Sequence, residues 1–423
     1  MIDLKGKKLL ILGGAFQHIK VVEASKELGM ITYVTDYLKN SPAKDIADVA
    51  LSFDVKNVEG IVDFCLTEKI DGVINTSLDP CQIPYQKICE RLSLPCFGNS
   101  EQFYKLTNKN AFKKCCMEYG VDIIPSYSEE DFGKNSVVNV EYPVFIKPVD
   151  SRGSRGQSIC YRIEDVQKAI NMAKKESSTG EVIIEKYMNG CQDFTAAYMI
   201  INGEVSLVRT GDRYVGSEKE GLNKVCIASA SPSKYTDMYI QNVNKRVVNM
   251  LKGIGLINAP VFMQGMIDGG TVRFYDPGLR FSGGEYERLF KFSTGIDLIK
   301  LLVEFAVTGC IEKQPMVKDS VYLLGKRIMQ LCPVLHSGVI QEIKGEDIIR
   351  NFDEVITFSK RYHVGEEVSD RSDVGRRFAE IGILCSDYQC QQKLIKRIQK
   401  QLKVLDTQGR DMICDSLDVD LLN

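Results

Sequence analysis

The sequence has no surplus of basic charge: 54 Lys and Arg stand against 56 Asp and Glu, a net charge of −2. Chains that live on nucleic acid or anionic membrane usually carry a basic excess, so neither partner is expected. Histidine is scarce, three in all, and the 14 cysteines include no Cys-x-x-Cys pair, only the adjacent Cys115 and Cys116. A zinc site would have few ligands to draw on, and the thiols read as the reduced cysteines of a cytoplasmic protein. Long apolar runs are missing too. The most hydrophobic helical stretch, Leu298 to Cys310, is interrupted by Lys300 and Glu304 and is too short to span a bilayer. The N-terminus, Met1 to Lys5, shows no signal-peptide cleavage site and passes straight into a strand-like run. There is no internal repeat or low-complexity tract, and Asp131-Phe132-Gly133 imitates a kinase triplet without the His-Arg-Asp loop that would give it meaning. What remains is ordinary globular composition, 44% hydrophobic and 26% charged over 423 residues. That length suggests roughly two to four domains.

Apolar runs at Lys8–Leu12, Ile31–Thr35, Val49–Phe53 and Gly72–Thr76 alternate with helical patterns at Gln17–Leu28, Val58–Glu68 and Pro84–Leu92. Strands alternating with helices predict βαβ units and a parallel sheet. The first strand runs into Gly13-Gly14-Ala15-Phe16-Gln17, where two glycines let the backbone turn tightly into a helix. No Gly-x-Gly-x-x-Gly follows the strand, which argues against a nicotinamide cofactor. Asp36, after the second strand, fits either a ribose-binding acid or a turn residue.

The middle of the chain carries the chemistry. Thr107-Asn108-Lys109-Asn110 begins a helix, capped by Thr or Asn, that ends near Gly120. Val121–Pro125 reads as a short strand, as does Tyr142–Pro148, which carries Lys147 near its exit. A loop of small residues and arginines follows, Ser151-Arg152-Gly153-Ser154-Arg155-Gly156-Gln157, and then an apolar segment, Ser158–Tyr161. Backbone N–H groups in such a loop can approach phosphates closely and a neighbouring Lys can neutralise them. By itself the pattern is equally that of a polar hairpin with an edge lysine. Val182–Met188 is an apolar strand ending in a polar-aromatic hinge, Glu185-Lys186-Tyr187-Met188, and a strand over Phe194–Ile201 follows Gln192-Asp193. Phe262–Ile267 and Thr271–Asp276 read as paired strands around the turn Asp268-Gly269-Gly270. Gln264 and Asp276 could then face one site, followed by Arg280 and Gly283-Gly284. A carboxylate beside phosphates is a Mg²⁺ ligand, and a following Arg can hold charge on a transferring group.

This order of elements resembles the ATP-grasp superfamily, and the resemblance covers nearly the whole chain. It implies ATP and Mg²⁺ as cofactors. Lys147 matches the strand lysine on the nucleotide phosphates and Lys109 the second ATP-binding lysine. Ser151, Gly153, Ser154 and Gly156 fall in the phosphate flap, and Glu185, Lys186, Tyr187 and Met188 in the adenine hinge. Gln192 stands at the family's usual spacing for the ribose acid. Asp193, one residue later, is favoured because a carboxylate accepts both ribose hydroxyl protons. Family members usually place an acid on each paired strand and end Glu-x-Asn-x-Arg. Here Gln264 and Gly278 stand at two of those positions, so one Mg²⁺ held by Asp276, with Gln264 as a weak neutral contributor, is expected. Arg280 and Lys147 are the implied catalytic residues.

Farther on, Ser337–Gly345, Val355–Ser359 and Arg376–Cys385 read as strands. A helix from Gln391 to Val404 places Leu394, Ile395, Ile398 and Leu402 at helical spacing. This part resembles the C-terminal domain of the carboxylase-like and L-amino-acid-ligase branches, while His336 and His363 read as packing or surface residues. The expected architecture is a multidomain α/β and α+β chain: an N-terminal parallel α/β domain over 1–103, an ATP-grasp domain over 104–310 and a C-terminal α+β domain over 311–423. The expected activity is ATP-dependent ligation of a small carboxylate to an amine through an acyl-phosphate, with a homodimer as the assembly the resemblance allows. The rivals are a bicarbonate-activating carboxylase-type enzyme and a nucleotide-binding regulatory protein without catalysis.

Overall fold

The computed structural model describes residues 3–133, 138–148, 156–177, 179–216, 225–312, 319–370 and 374–422. The chain opens with a parallel four-stranded sheet, β1 (Lys8–Leu12), β2 (Ile31–Thr35), β3 (Val49–Leu51) and β4 (Gly72–Ile74), in the order β3-β2-β1-β4. The last four residues of β1, Leu9 to Leu12, are fully buried, as a central strand covered on both faces requires. Helices α1 (Ile19–Glu27), α2 (Pro42–Ile46), α3 (Val58–Glu68) and α4 (Gln82–Leu92) connect and flank the strands. Part of that cover comes from far along the sequence. The helix Leu298–Thr308 packs on α1 and β4, and a Cβ at Gly72 would collide with the carbonyl oxygen of Ala306.

An unexpected helix, α5 (Ser100–Thr107), then precedes the expected one, which runs as α6 (Lys109–Glu118). Asn108 separates them, its side chain accepting from the backbone N–H of Asn110 at 3.1 Å and Ala111 at 3.0 Å. The expected strand over Val121–Pro125 is not formed. The pairing falls one step later, at β5 (Ser126–Tyr127), because Ile123 is drawn into an isolated bridge with Phe274. β5 joins β6 (Val144–Pro148), β7 (Ser158–Cys160) and β8 (Val182–Lys186) in a sheet ordered β5-β8-β6-β7. Helix α7 (Ile163–Glu176) covers this sheet, and the two enclose a small core of their own. The flap positions Ser151, Gly153 and Ser154 lie outside the described residues. Gly156 has φ +69°, and a Cβ there would meet Pro148 Cγ at 2.9 Å and Glu176 Cβ at 2.8 Å, so its glycine is required by backbone and packing.

The largest sheet has eight strands. Five come from the middle of the chain: β9 (Asp193–Ile201), β10 (Glu204–Val215), β11 (Cys226–Ser231), β12 (Ala259–Asp268) and β13 (Thr271–Gly278). β14 (Arg327–Leu331), Ala379–Cys385 and Val355–Lys360 complete it, in the order β13-β12-β9-β10-β11-β14-(379–385)-(355–360). It therefore runs without a break across residue 310, where a boundary was expected. One hydrophobic core likewise joins the first parallel sheet to β9, β12 and β13, while a second lies under the C-terminal strands and the helix Tyr388–Gln401. His336 and His363 are exposed. No described helix is long and apolar enough to cross a membrane.

Candidate active site

A cavity of about 1090 Å³ opens between the β5–β8 sheet and the eight-stranded sheet. Its walls include Phe145 and Lys147 of β6, the segment Glu185 to Met188, Asp193 of β9, Arg213 of β10, and Gln264 and Tyr275 of β12 and β13. Burial between two sheets and a few convergent polar groups are the marks of a small-molecule site. β6 and β8 pair antiparallel with Phe145 opposite Glu185, so Lys147, two residues on, shares their face. The hinge backbone after β8 is pinned: the N–H of Lys186 donates to Pro125 O at 2.9 Å and that of Tyr187 to Pro143 O at 2.7 Å. Phe145 and Tyr187 stand 6.2 Å apart and form an aromatic wall. The Lys186 ammonium turns aside to Glu141 at 2.6 Å, so its backbone contributes more to the cavity than its charge.

Glu185 is buried, yet ionised. Burial pushes its carboxyl up, but the ammonium groups of Lys147 and Lys113 outweigh this and hold it below the usual carboxylate range. Lys147 Nζ lies 2.9 Å from Oε2, and Lys113 Nζ bonds Oε1. Lys113, one helical turn beyond Lys109, was not singled out in the sequence. The i, i+4 spacing on α6 was the only signal for it.

Across the cavity Asp193 pairs with Arg213, and Tyr275 Oη lies 3.3 Å from its other oxygen. Gln192 instead donates to the backbone carbonyl of Arg213 at 2.6 Å. Of the two candidates for the ribose acid, only Asp193 offers a carboxylate to the cavity, and a guanidinium already holds it.

Gln264 and Asp276 oppose each other directly on β12 and β13 and so share a face. Gln264, expected to be at most a weak neutral contributor to a metal, has another partner here. With its amide oxygen toward the donors, Gln264 accepts from Arg213 Nη1 at 2.6 Å and Nε at 3.2 Å. A carbonyl engaged by a guanidinium is a poorer donor to a metal ion. Asp276 lies 3.4 Å from Lys109 Nζ and is partly exposed. Among the described residues no three His, Cys, Asp or Glu side chains cluster as a ready metal cage. The donor set fits one Mg²⁺ on Asp276 with most of its oxygens supplied by phosphates and water, and does not fit a two-metal cage.

Arg280 is not on the cavity wall. It is buried, donates to Asp79 through Nε at 2.6 Å and Nη2 at 2.8 Å, and gives Nη1 to the carbonyl of Phe281 at 2.7 Å. Asp79 begins the turn after β4, at the carboxyl edge of the first sheet, where parallel α/β sheets place ligand-binding loops. That topological position was the available signal for Asp79, which sequence reading passed over. At the same edge Asp36 proves to be a fastener. Its carboxylate accepts from the N–H of Gly14 at 2.8 Å and Leu38 at 2.9 Å.

Residues 108–267 match the family model described as the carbamoyl-phosphate synthase L chain, ATP binding domain. Over these residues the chain is similar to the ATP-binding domain of the ATP-grasp enzymes. Among curated proteins it is similar to the formate-dependent phosphoribosylglycinamide formyltransferase of Prochlorococcus marinus, 26% identical over 267 residues. That match spans 61% of this chain and 66% of the relative. Among solved structures it superposes on phosphoribosylglycinamide synthetase from Anaerococcus prevotii with a TM-score of 0.76 at 19% identity, covering 95% of this chain and 100% of that one. The L-amino acid ligase of Bacillus licheniformis gives 0.75 at 16% identity, with 95% and 99% covered.

Proposed function

We propose that the chain is an ATP-dependent ligase that joins a small carboxylate to an amine through an acyl-phosphate, releasing ADP and phosphate. The observation that carries this reading is the cavity holding Lys147 on β6 against Glu185 at the start of the hinge, with Asp193 across from them. The aromatic wall of Phe145 and Tyr187 would take the adenine, Asp193 the ribose, and Lys147 and Lys109 the phosphates. Asp276 would hold Mg²⁺, which when bound neutralises phosphate charge. The substrate carboxylate oxygen would attack the γ-phosphorus, and the amine would then displace phosphate from the acyl carbon. Lys147 would spread the charge that develops on the transferring group, and Arg280 would hold the acyl oxygen, positioning and electrostatics supplying most of the rate. The substrates would enter between the carboxyl edge of the first sheet and the loop Leu279 to Gly284. The domain limits at about residues 103 and 310, a cytoplasmic place of action and a homodimer belong to the same proposal.

Phosphate release from Mg-ATP should be screened against a panel of carboxylates and amines, with bicarbonate as a separate arm and products weighed by mass spectrometry. Release that needs both an acid and an amine, with a condensed product, supports the ligase. Release with bicarbonate alone would favour a carboxylase-type reaction. Nucleotide binding without turnover in any arm would favour a regulatory protein, a reading to which the engaged carbonyl of Gln264 lends weight.

A further inference from the structure

Lys113 has no part in the scheme above, yet it is the most deeply buried cation beside the cavity. Its side chain is 11% exposed against 24% for Lys147, and both ammonium groups meet the same carboxylate, Glu185. Lys113 Nζ also lies 2.5 Å from Ser126 Oγ. Three elements converge here: α6 brings Lys113, β6 brings Lys147, and β8 brings Glu185, with Ser126 of β5 directly opposite Glu185. Lys147 and Glu185 line the cavity, while Lys113 lies behind them.

A buried ion pair adds little to stability over a well-packed apolar pair, but stripping one partner from a buried charge is costly. Two ammonium groups on one carboxylate is an arrangement that folding alone does not call for. It has a use if one of the two must leave. A phosphate entering the cavity competes with Glu185 for Lys147. With Lys147 as its sole partner, Glu185 would be left as a bare buried carboxylate. With Lys113 and Ser126 behind it, it stays neutralised.

We propose that Lys113 is a positioning residue for phosphate binding: it holds Glu185 as a compensated counter-ion, so that Lys147, the more exposed partner, can exchange that carboxylate for the phosphates of the nucleotide. The inference rests on the nucleotide reading of the cavity. It separates phosphate-bearing ligands from the bare nucleoside, because adenosine asks nothing of Lys147.

The test is calorimetric titration of the full chain and its variants with Mg-ATP and, separately, with adenosine. Lys113→Met should weaken ATP by about tenfold or more, the size of one charge-assisted hydrogen bond redirected, and leave adenosine binding unchanged. Lys113→Arg should stay near wild type. Lys113→Met combined with Glu185→Gln should recover ATP binding, since a neutral amide no longer traps Lys147. Should the single variant not fold, the double variant decides: near-wild-type ATP affinity supports the proposal, and a persistent loss overturns it. Wild-type ATP affinity in Lys113→Met, or an equal loss of ATP and adenosine, would also overturn it while leaving the nucleotide reading in place. A wild-type chain that binds neither ligand would remove that reading and this proposal with it.

Discussion

Arg280 and Asp79 form a two-pronged ion pair, Nε to Oδ1 at 2.6 Å and Nη2 to Oδ2 at 2.8 Å, that ties the segment after β13 to the carboxyl edge of the first sheet. Two more contacts reinforce the junction. Leu279 N–H donates to Gln82 Oε1 at 2.8 Å, and Phe281 N–H donates to Thr76 O at 2.8 Å. The arginine proposed to hold the acyl oxygen is thus aimed by the edge of the first sheet. Asp79→Asn keeps the shape but removes the charge. We expect kcat to fall by about 10–100-fold through misplacement of Arg280, with the KM for ATP little changed. Steady-state kinetics with the acid and amine identified by the screen would check this. An unchanged kcat would show that Arg280 does not depend on Asp79.

Lys147→Ala should abolish turnover, a loss of at least about 100-fold, because one charge on the transferring phosphates disappears. The fold should survive, since Lys113 remains to compensate Glu185. Circular dichroism and phosphate release measured on one preparation separate the two effects. Wild-type turnover would mean that the phosphates lie elsewhere.

Asp276→Asn should raise the Mg²⁺ requirement and remove nearly all turnover at ordinary Mg²⁺. Gln264→Glu should not lower that requirement, because the new carboxylate would be taken up by Arg213, whose guanidinium already contacts residue 264. Gln264→Ala should act through Arg213 and change the Mg²⁺ dependence little. Turnover against Mg²⁺ concentration for the three variants decides. An Asp276→Asn enzyme with wild-type Mg²⁺ dependence would exclude Asp276 as the ligand.

His18 is fully buried beside the Gly13 turn, where a Cβ on Gly13 would meet its Cε1 at 2.8 Å. Burial lowers its pKa to about 4, from 6.5 when free. The unfolded chain therefore binds a proton between these values that the folded chain refuses, so this contribution to stability is present above about pH 6.5 and is lost as pH falls toward about 4. The loss attributable to His18 should approach about 3 kcal/mol. Urea unfolding of wild type and His18→Gln across pH 7.5 to 4.5 would show it as a shallower pH dependence in the variant. Parallel profiles would place the acid sensitivity elsewhere.

Much of the fold was legible because its signals are local. The βαβ alternation, the Asp268-Gly269-Gly270 hairpin turn and the order of β6, β8, β9, β12 and β13 follow from apolar periodicity and turn residues, which act over a few positions. The helix α5 was not anticipated, but the start of α6 at Asn108 was legible because a cap acts over two or three residues. The strand expected over Val121–Pro125 failed for the opposite reason: a partner 151 residues away, Phe274, took Ile123 out of it.

By itself, the sequence determined which chemistry-bearing side chains exist and on which elements they ride: Lys147 at a strand exit, Glu185 before the hinge, Asp276 opposite Gln264. Tertiary structure alone decided what those charges meet. Arg213 reaches Gln264 across the sheet, Lys113 reaches Glu185 from a helix, and Asp79 reaches Arg280 from another layer. The reason is physical. Backbone propensity and apolar period are properties of neighbouring residues, whereas the Coulomb energy of a buried charge depends on distance in space. The partners that satisfy these charges lie 38 to 201 residues away along the chain.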